Sequence, residues 1–340
     1  MSRTRVVCFG ELLLRLGAPG KQLLLQTPQL DVHAGGAEAN VGVSLAHFGH
    51  AVAMVSVVTD NPLGAAVTGE LRRHGVDTTH VRTAPGRMGL YFLTTGAGHR
   101  PSEVVYDRAD SAFALASPEG WDWKSLLEGA QWLHLSGVSP ALGAEAAQAT
   151  LAAARAACEL GVKVSFDGNF RPKLWKRWGG DARAVLRDLF DCAHILFADH
   201  RDIAVVLGGE FGQDDAQARV DAAAAQAFAA FPRLQYMACT QRTAHSVDQH
   251  SLGAMLLGRD GTRAVAPEEQ LVGIVDRIGG GDAFAAGVLH GLIEGFDAES
   301  TIRFGLAAGC LKHSIPGDFN PVGVADVQAL VGEGRFDVRR

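Results

Sequence analysis

The chain has 340 residues, 47% hydrophobic and 20% charged, with a formal net charge of −6. This is the composition of a folded protein with a sizeable core, and the negative balance speaks against a nucleic-acid or anionic-membrane partner. No apolar run reaches about 18 residues, so no membrane span is expected. The cysteines Cys8, Cys158, Cys192, Cys239 and Cys310 form no C-x-x-C pair, as expected of reduced thiols in a cytoplasm. The histidines show no H-E-x-x-H and no metal spacing with cysteine, so they read as surface and core residues.

In chain order, a short basic lead enters a strand at 6–9, which is no signal peptide. Residues 12–32 read as short strands broken at 17–20 and at Pro28, a sheet partly facing solvent. Gly35 and Gly36 make a tight turn into a helix at 37–48. A buried strand at 51–58 and a helix at 65–74 follow. Residues 81–108 read as a second set of short strands, including 90–94 and 103–106. From Trp132 an α/β pattern resumes: strand 132–137, helix 144–160, strand 162–166. D-G-N-F-R, with Asn169 and Arg171, stands at that last strand's C-terminal end, where ligands gather in open α/β sheets. Next come a strand at 194–198 leading into Asp199 and Asp202, a helix at 222–231 and a strand at 236–240 running into Thr240 and Arg242. A late helix covers 300–310, and the last ten residues read as a frayed tail. Strands separated by helices predict a doubly wound, mostly parallel sheet.

The densest chemistry lies between Ile274 and Gly295, I-V-D-R-I-G-G-G-D-A-F-A-A-G-V-L-H-G-L-I-E-G. Phe284, Val288 and Leu292 recur every four residues, and Ala285, Leu289 and Ile293 do so one step on. That predicts a helix over 283–293, apolar on more than one face, buried against a sheet and stopped at Gly295. Gly279, Gly280 and Gly281 stand at its start, where unpaired N–H groups and the helix dipole suit a phosphate. Asp282 either caps the helix or acts as a general base beside a bound phosphate.

The run I-V-D-R-I-G-G-G-D-A-F-A-A-G resembles the C-terminal signature of the ribokinase-like (PfkB) sugar kinases, whose usual form is Asp-Thr-x-Gly-Ala-Gly-Asp. Arg277 replaces the usual Thr and Gly280 the usual Ala, as in the 2-keto-3-deoxygluconate kinase branch. The G-G-A-E-A-N helix start, about 240 residues earlier, is similar to that family's N-terminal signature. Y-D-R-A-D-S-A, D-G-N-F-R-P-K-L-W and L-K-H-S-I-P-G-D-F-N resemble the same branch. The resemblance implies an α/β, ribokinase-like fold, with 1–11, 34–84 and 110–340 binding nucleotide and substrate. Residues 12–33 and 85–109 would form a β-lid over the sugar.

The resemblance further implies ATP and Mg²⁺ as cofactors and a sugar acid as substrate. Asp282 would be the base, and Gly279, Gly280 and Gly281 the anion hole. Gly36, Asn40, Tyr91, Tyr106, Arg108, Asn169 and Arg171 would face the sugar acid, Thr240, Arg242 and Gly279 the nucleotide, and Asp202 the magnesium. Plainer readings stand beside these: cross-strand packing for the tyrosines, a structural role for Arg171, exposure for Arg242 and a solvated turn for Asp202. A homo-oligomer is expected, since lids of this family often pair between subunits. The alternatives are a kinase of fructose, ribose or 2-keto-3-deoxygalactonate, or a sugar-sensing protein that has lost catalysis. A dinucleotide-dependent oxidoreductase is disfavoured, because no G-x-G-x-x-G follows an early strand.

Overall fold

A computed structural model describes residues 4–332, so the expected tail falls almost wholly outside the described residues. The strands, in chain order, are β1 (Arg5–Phe9), β2 (Leu13–Gly17), β3 (Asp31–Gly35), β4 (Ala51–Thr59), β5 (Val81–Ala84), β6 (Gly89–Thr94) and β7 (Glu103–Asp107). They continue as β8 (Trp132–Ser136), β9 (Lys163–Asp167), β10 (Ala193–Phe197), β11 (Tyr236–Ala244), β12 (Gln249–Gly258) and β13 (Arg263–Val272). Nine of them form one sheet in the order β13-β12-β11-β10-β9-β8-β1-β4-β5, and four form a second, β3-β2-β6-β7. In the large sheet every pairing from β5 to β11 is parallel, and the two made by β12 are antiparallel.

The parallel strands are apolar along their whole length because both faces are covered. In β1, Val7 and Phe9 enter one hydrophobic cluster and Val6 and Cys8 the other. The first cluster is closed by the helices Ala144–Glu159, Ala182–Cys192, His200–Leu207 and Ala216–Ala230. The second is closed by Ala37–His47, Gly280–Glu294 and Ala298–Lys312. No helix of the described residues is long and apolar enough to cross a membrane, and all five cysteines are free thiols.

The chain steps from β1 outward through β4 to β5, then returns at β8 and steps the other way to β11. Strand order therefore reverses between β1 and β8, and the C-terminal strand ends beside that point open a crevice.

Two features depart from the sequence pattern. Val81–Ala84 belongs to the large sheet, in parallel with β4, while the rest of 81–108 builds the small sheet with β2 and β3. A four-residue strand carries too little alternation to specify its partner. The segment after Thr240 is a three-strand meander whose outer part is exposed on one face, so its apolar residues are too sparse to stand out.

Candidate active site

The helix Gly280–Glu294 begins beneath the crevice. Its N-cap, Gly279, has φ +80, and no side chain caps the helix, so Asp282 is not a capping residue. A Cβ at Gly279 would overlap the Asp318 carbonyl oxygen, and one at Gly280 would lie 2.7 Å from His313 Cε1. Nothing lies within 4 Å of a Cβ at Gly281, which faces open space. The Gly280 N–H is directed at the Arg277 carbonyl at 3.3 Å, whereas those of Gly279, Gly281 and Asp282 meet no protein acceptor among the described residues. Such a turn presents unpaired donors at the positive end of a helix, the arrangement that binds anions.

Asp282 is buried at this turn, and Asn40 Nδ2 donates to its Oδ2 at 2.6 Å. Asn40 is delivered by the helix Ala37–His47, whose N-cap Gly36 has φ +145 and a Cα packed on the Glu11 carbonyl. Asn40 Oδ1 is buried without a partner. Burial raises the Asp282 pKa to about 7; the Asn40 hydrogen bond opposes the shift, Asp318 and Glu38 add to it, and Arg171 opposes it. Asp167, at the end of β9, is raised by burial and then by Asp282 and Asp202. Asp202 is raised to about 6, chiefly by burial and against the hydrogen bond from the Asp199 N–H.

Asp202 closes a capping box on His200–Leu207, accepting from Asp199 N–H at 3.0 Å. It also leans over Gly168, where a Cβ would lie 3.0 Å from its Cγ. Three carboxylates with raised pKa values thus face one space. A hard cation with oxygen ligands relieves that arrangement, so these residues fit Mg²⁺.

The space is a cavity of about 810 Å³. Gly36, Asn40, Tyr91, Tyr106, Arg108, Asn169, Arg171, Asp202, Thr240, Gly279, Gly281 and Asp282 all line it; Gly280 and Arg242 do not. Tyr91 and Tyr106 are register partners across β6 and β7, so they pack as a cross-strand pair and line the cavity at once. The Tyr91 hydroxyl donates to Asp318 Oδ2 at 2.7 Å. Arg108 Nε donates to Glu11 Oε2 at 2.6 Å, and the Ser111 hydroxyl also donates to Glu11. Asn169 sits at φ +38, a left-handed conformation uncommon outside glycine and frequent at functional sites. Arg171 is exposed, and its one hydrogen bond is from Nη1 to the neighbouring Phe170 carbonyl at 3.3 Å.

Several lining residues escape sequence reasoning. Asp318 lines the cavity, raised to about 6 by burial against the opposing charge of Arg15 and the Tyr91 hydrogen bond. Arg15, on β2 and 2% exposed, donates from Nη2 to Asp276 Oδ2 at 2.6 Å and has Nε 3.2 Å from Asp318 Oδ1. It ties the small sheet to both ends of the glycine turn. Arg201 and Arg277 also line the cavity, and Arg242 adjoins them: burial and then the Arg277 and Arg201 guanidiniums lower its pKa. Arg201 is paired with Asp199, while the side chains of Arg277 and Arg242 have no hydrogen-bond or ion-pair partner among the described residues. Three cations with one carboxylate between them fit a polyphosphate. Arg277 stands inside the glycine signature and carries a local signal; Asp318 and Arg15 carry none.

Away from the cavity, His50 Nε2 and His290 Nδ1 lie 2.9 Å apart, with Glu294 near enough to complete a three-ligand group. The imidazoles satisfy one another, and burial keeps both neutral.

The protein is similar over its whole length to proteins of known type. It is 32% identical to a 2-dehydro-3-deoxygalactonokinase of Haloferax volcanii, over 98% of this chain and 99% of that one. It is 26% identical to a 2-dehydro-3-deoxygluconokinase of Bacillus subtilis, over 92% and 91%. The crystal structure of the 2-dehydro-3-deoxygluconokinase of Thermotoga maritima superposes with a TM-score of 0.91 at 37% identity, covering 97% of this chain and 99% of that one. The description "pfkB family carbohydrate kinase" matches residues 3–322, and with that the chain belongs to the PfkB family: it is a sugar kinase related to those that act on 2-keto-3-deoxy sugars.

Proposed function

We propose that this kinase transfers the γ-phosphoryl of ATP to the terminal (C6) hydroxyl of 2-keto-3-deoxygluconate, with Asp282 as general base. The observation that carries the substrate is the pairing of Arg108 and Arg171 with Tyr91 and Tyr106 at the far side of the cavity that holds Asp282. A guanidinium pairs bidentately with a carboxylate, and a neutral sugar gives it nothing to pair with. The T. maritima likeness supports the gluconate acid, and the H. volcanii likeness supports its galactonate epimer as the nearest alternative.

Phosphoryl transfer is mostly positioning and charge stabilisation. Asp282, held by Asn40, accepts the hydroxyl proton as the oxygen attacks in line. The free N–H groups of Gly279, Gly281 and Asp282 receive the charge on the moving phosphoryl. Arg201, Arg277 and Arg242 hold the phosphate chain beside Thr240, and Asn40 Oδ1 is open to a substrate hydroxyl. Asp202 and Asp167 would hold magnesium, which neutralises phosphate charge. Related kinases carry the same donor: a fructokinase of Xylella fastidiosa, 25% identical and with a TM-score of 0.77, was solved with bound ATP. The small sheet is read as a lid over the sugar. Its outer strands expose Val32 (57%) and Val105 (48%), a surface on which two copies would pair. Five free cysteines fit a reducing, cytoplasmic compartment.

The test is ADP release from Mg·ATP with 2-keto-3-deoxygluconate, its galactonate epimer, fructose, ribose and no sugar. Turnover confined to the keto-deoxy acids, abolished by Arg171→Ala, is the expected result. Turnover of a neutral sugar alone would discard the substrate and keep the kinase. Sugar binding with no turnover across the panel would favour a sensor on the same fold.

A further inference from the structure

Lys312 ends the helix Ala298–Lys312, and its side chain is wholly buried, at 0% exposure. Nζ makes one hydrogen bond, to the Ile315 carbonyl at 2.8 Å, and no carboxylate lies within ion-pair distance. An ammonium has three donors and strong hydration, so burying it with one acceptor is unfavourable and needs a reason. Its place supplies one. The lysine stem runs directly behind the glycine turn, where a Cβ at Gly279 would lie 3.3 Å from Lys312 Cε. The acids that act on it are Asp276, Asp318 and, more weakly, Asp282, with Arg15 opposing. The open side of the same turn carries the unpaired N–H groups and faces the cavity.

We propose that Lys312 is a positioning residue for phosphoryl transfer: its ammonium, fixed behind Gly279–Gly281, holds the turn in shape and adds a permanent positive charge on the axis of the moving phosphoryl. It touches neither substrate nor nucleotide and moves no proton. The charge acts where it is worth most. Negative charge spreads over the equatorial oxygens in the transition state, and the buried turn screens poorly. This role rests on reading the glycine turn as the phosphoryl site.

The test uses Lys312→Met, which keeps the stem and removes the charge, and Lys312→Ala, which opens a cavity that a small amine can enter. Lys312→Met should melt at or above the wild-type temperature and lose about tenfold to a hundredfold in kcat, less than the loss of a direct oxyanion donor, with the KM values little changed. Its affinity for Mg·ADP with tetrafluoroaluminate, a planar mimic of the moving phosphoryl that needs no sugar, should fall by a similar factor while affinity for Mg·ADP stays the same. Ammonium chloride, against sodium chloride of equal ionic strength, should raise the activity of Lys312→Ala and not of Lys312→Met. The acid limb of the pH profile should also move up, because Asp282 loses a cation while Asn40, Asp318, Glu38, Asp167 and Arg171 still face it.

A Lys312→Met enzyme within twofold of wild type in kcat and tetrafluoroaluminate affinity would overturn the proposal. So would a folded Lys312→Ala that ammonium does not rescue, and so would two variants that fail to fold, which would make Lys312 a core residue only. Asp282→Asn assayed alongside keeps the readings apart, since an active Asp282→Asn removes the base and leaves the Lys312 ratios standing.

Discussion

Asp282 is placed to take a proton from an alcohol, in a site whose burial already favours the protonated acid. A pKa of about 7 matches that task, because a base works best when its pKa lies near the working pH. Replacing it by Asn should lower kcat by roughly 10² to 10⁴ and leave binding largely intact, the range for losing a general base. Near-normal turnover in a stopped assay would remove Asp282 from the role. The carboxylate is the active form, so kcat/KM should fall with decreasing pH through about 7. The Asn40 hydrogen bond favours the charged form. Asn40→Ala should therefore shift the acid limb to higher pH, and a profile unmoved by that change would show that another group sets the limb.

The glycine turn makes two opposite predictions for neighbouring positions of one element. Gly279 has φ +80 and no room beside the Asp318 carbonyl, so Gly279→Ala should lose about 1–3 kcal/mol of stability, read by denaturant titration, with activity falling in step. At Gly281 a methyl group meets open space, and that space is the cavity. Gly281→Ala should melt like wild type and yet lose turnover, because the methyl group stands where the phosphoryl moves. Equal stability losses at the two positions would contradict this account of the turn.

Both glycines were legible in the sequence because all their chemistry sits in one short run beside Asp282. Asn40 was legible for the same reason, from its own Gly-Gly helix start. Asp318, Arg15 and Lys312 were not, since each acquires its place only from contacts across the fold, such as Arg15 with Asp276, 261 residues apart. The parallel sheet showed in its unbroken apolar runs. The placing of Val81–Ala84 did not, because pairing with β4 is decided by the chain around it.

At the scale of the whole molecule, the site is held against the preference of its own acids. The Asp282 pKa rises from about 3.8 unfolded to about 7 folded, so the folded protein binds the proton more tightly, and stability is lost as pH rises between those values. Asp282→Asn should therefore melt above wild type at pH 8, with the gap closing toward pH 4; a gap that widens in acid would contradict the direction of the shift. The pairing of Asn40 with Asp282 has a different consequence, which concerns the order in which the chain is made. β1 lies in the middle of the large sheet and leaves the ribosome first, while the helices Gly280–Glu294 and Ala298–Lys312, which cover one face of it, lie in the last 60 or so of 340 residues. At about 5–20 residues per second, that face stays bare for several seconds after its strands exist. During synthesis the apolar face that will be sealed by the catalytic helix is thus the surface most open to chaperones, and to wrong partners, until the last of the chain arrives.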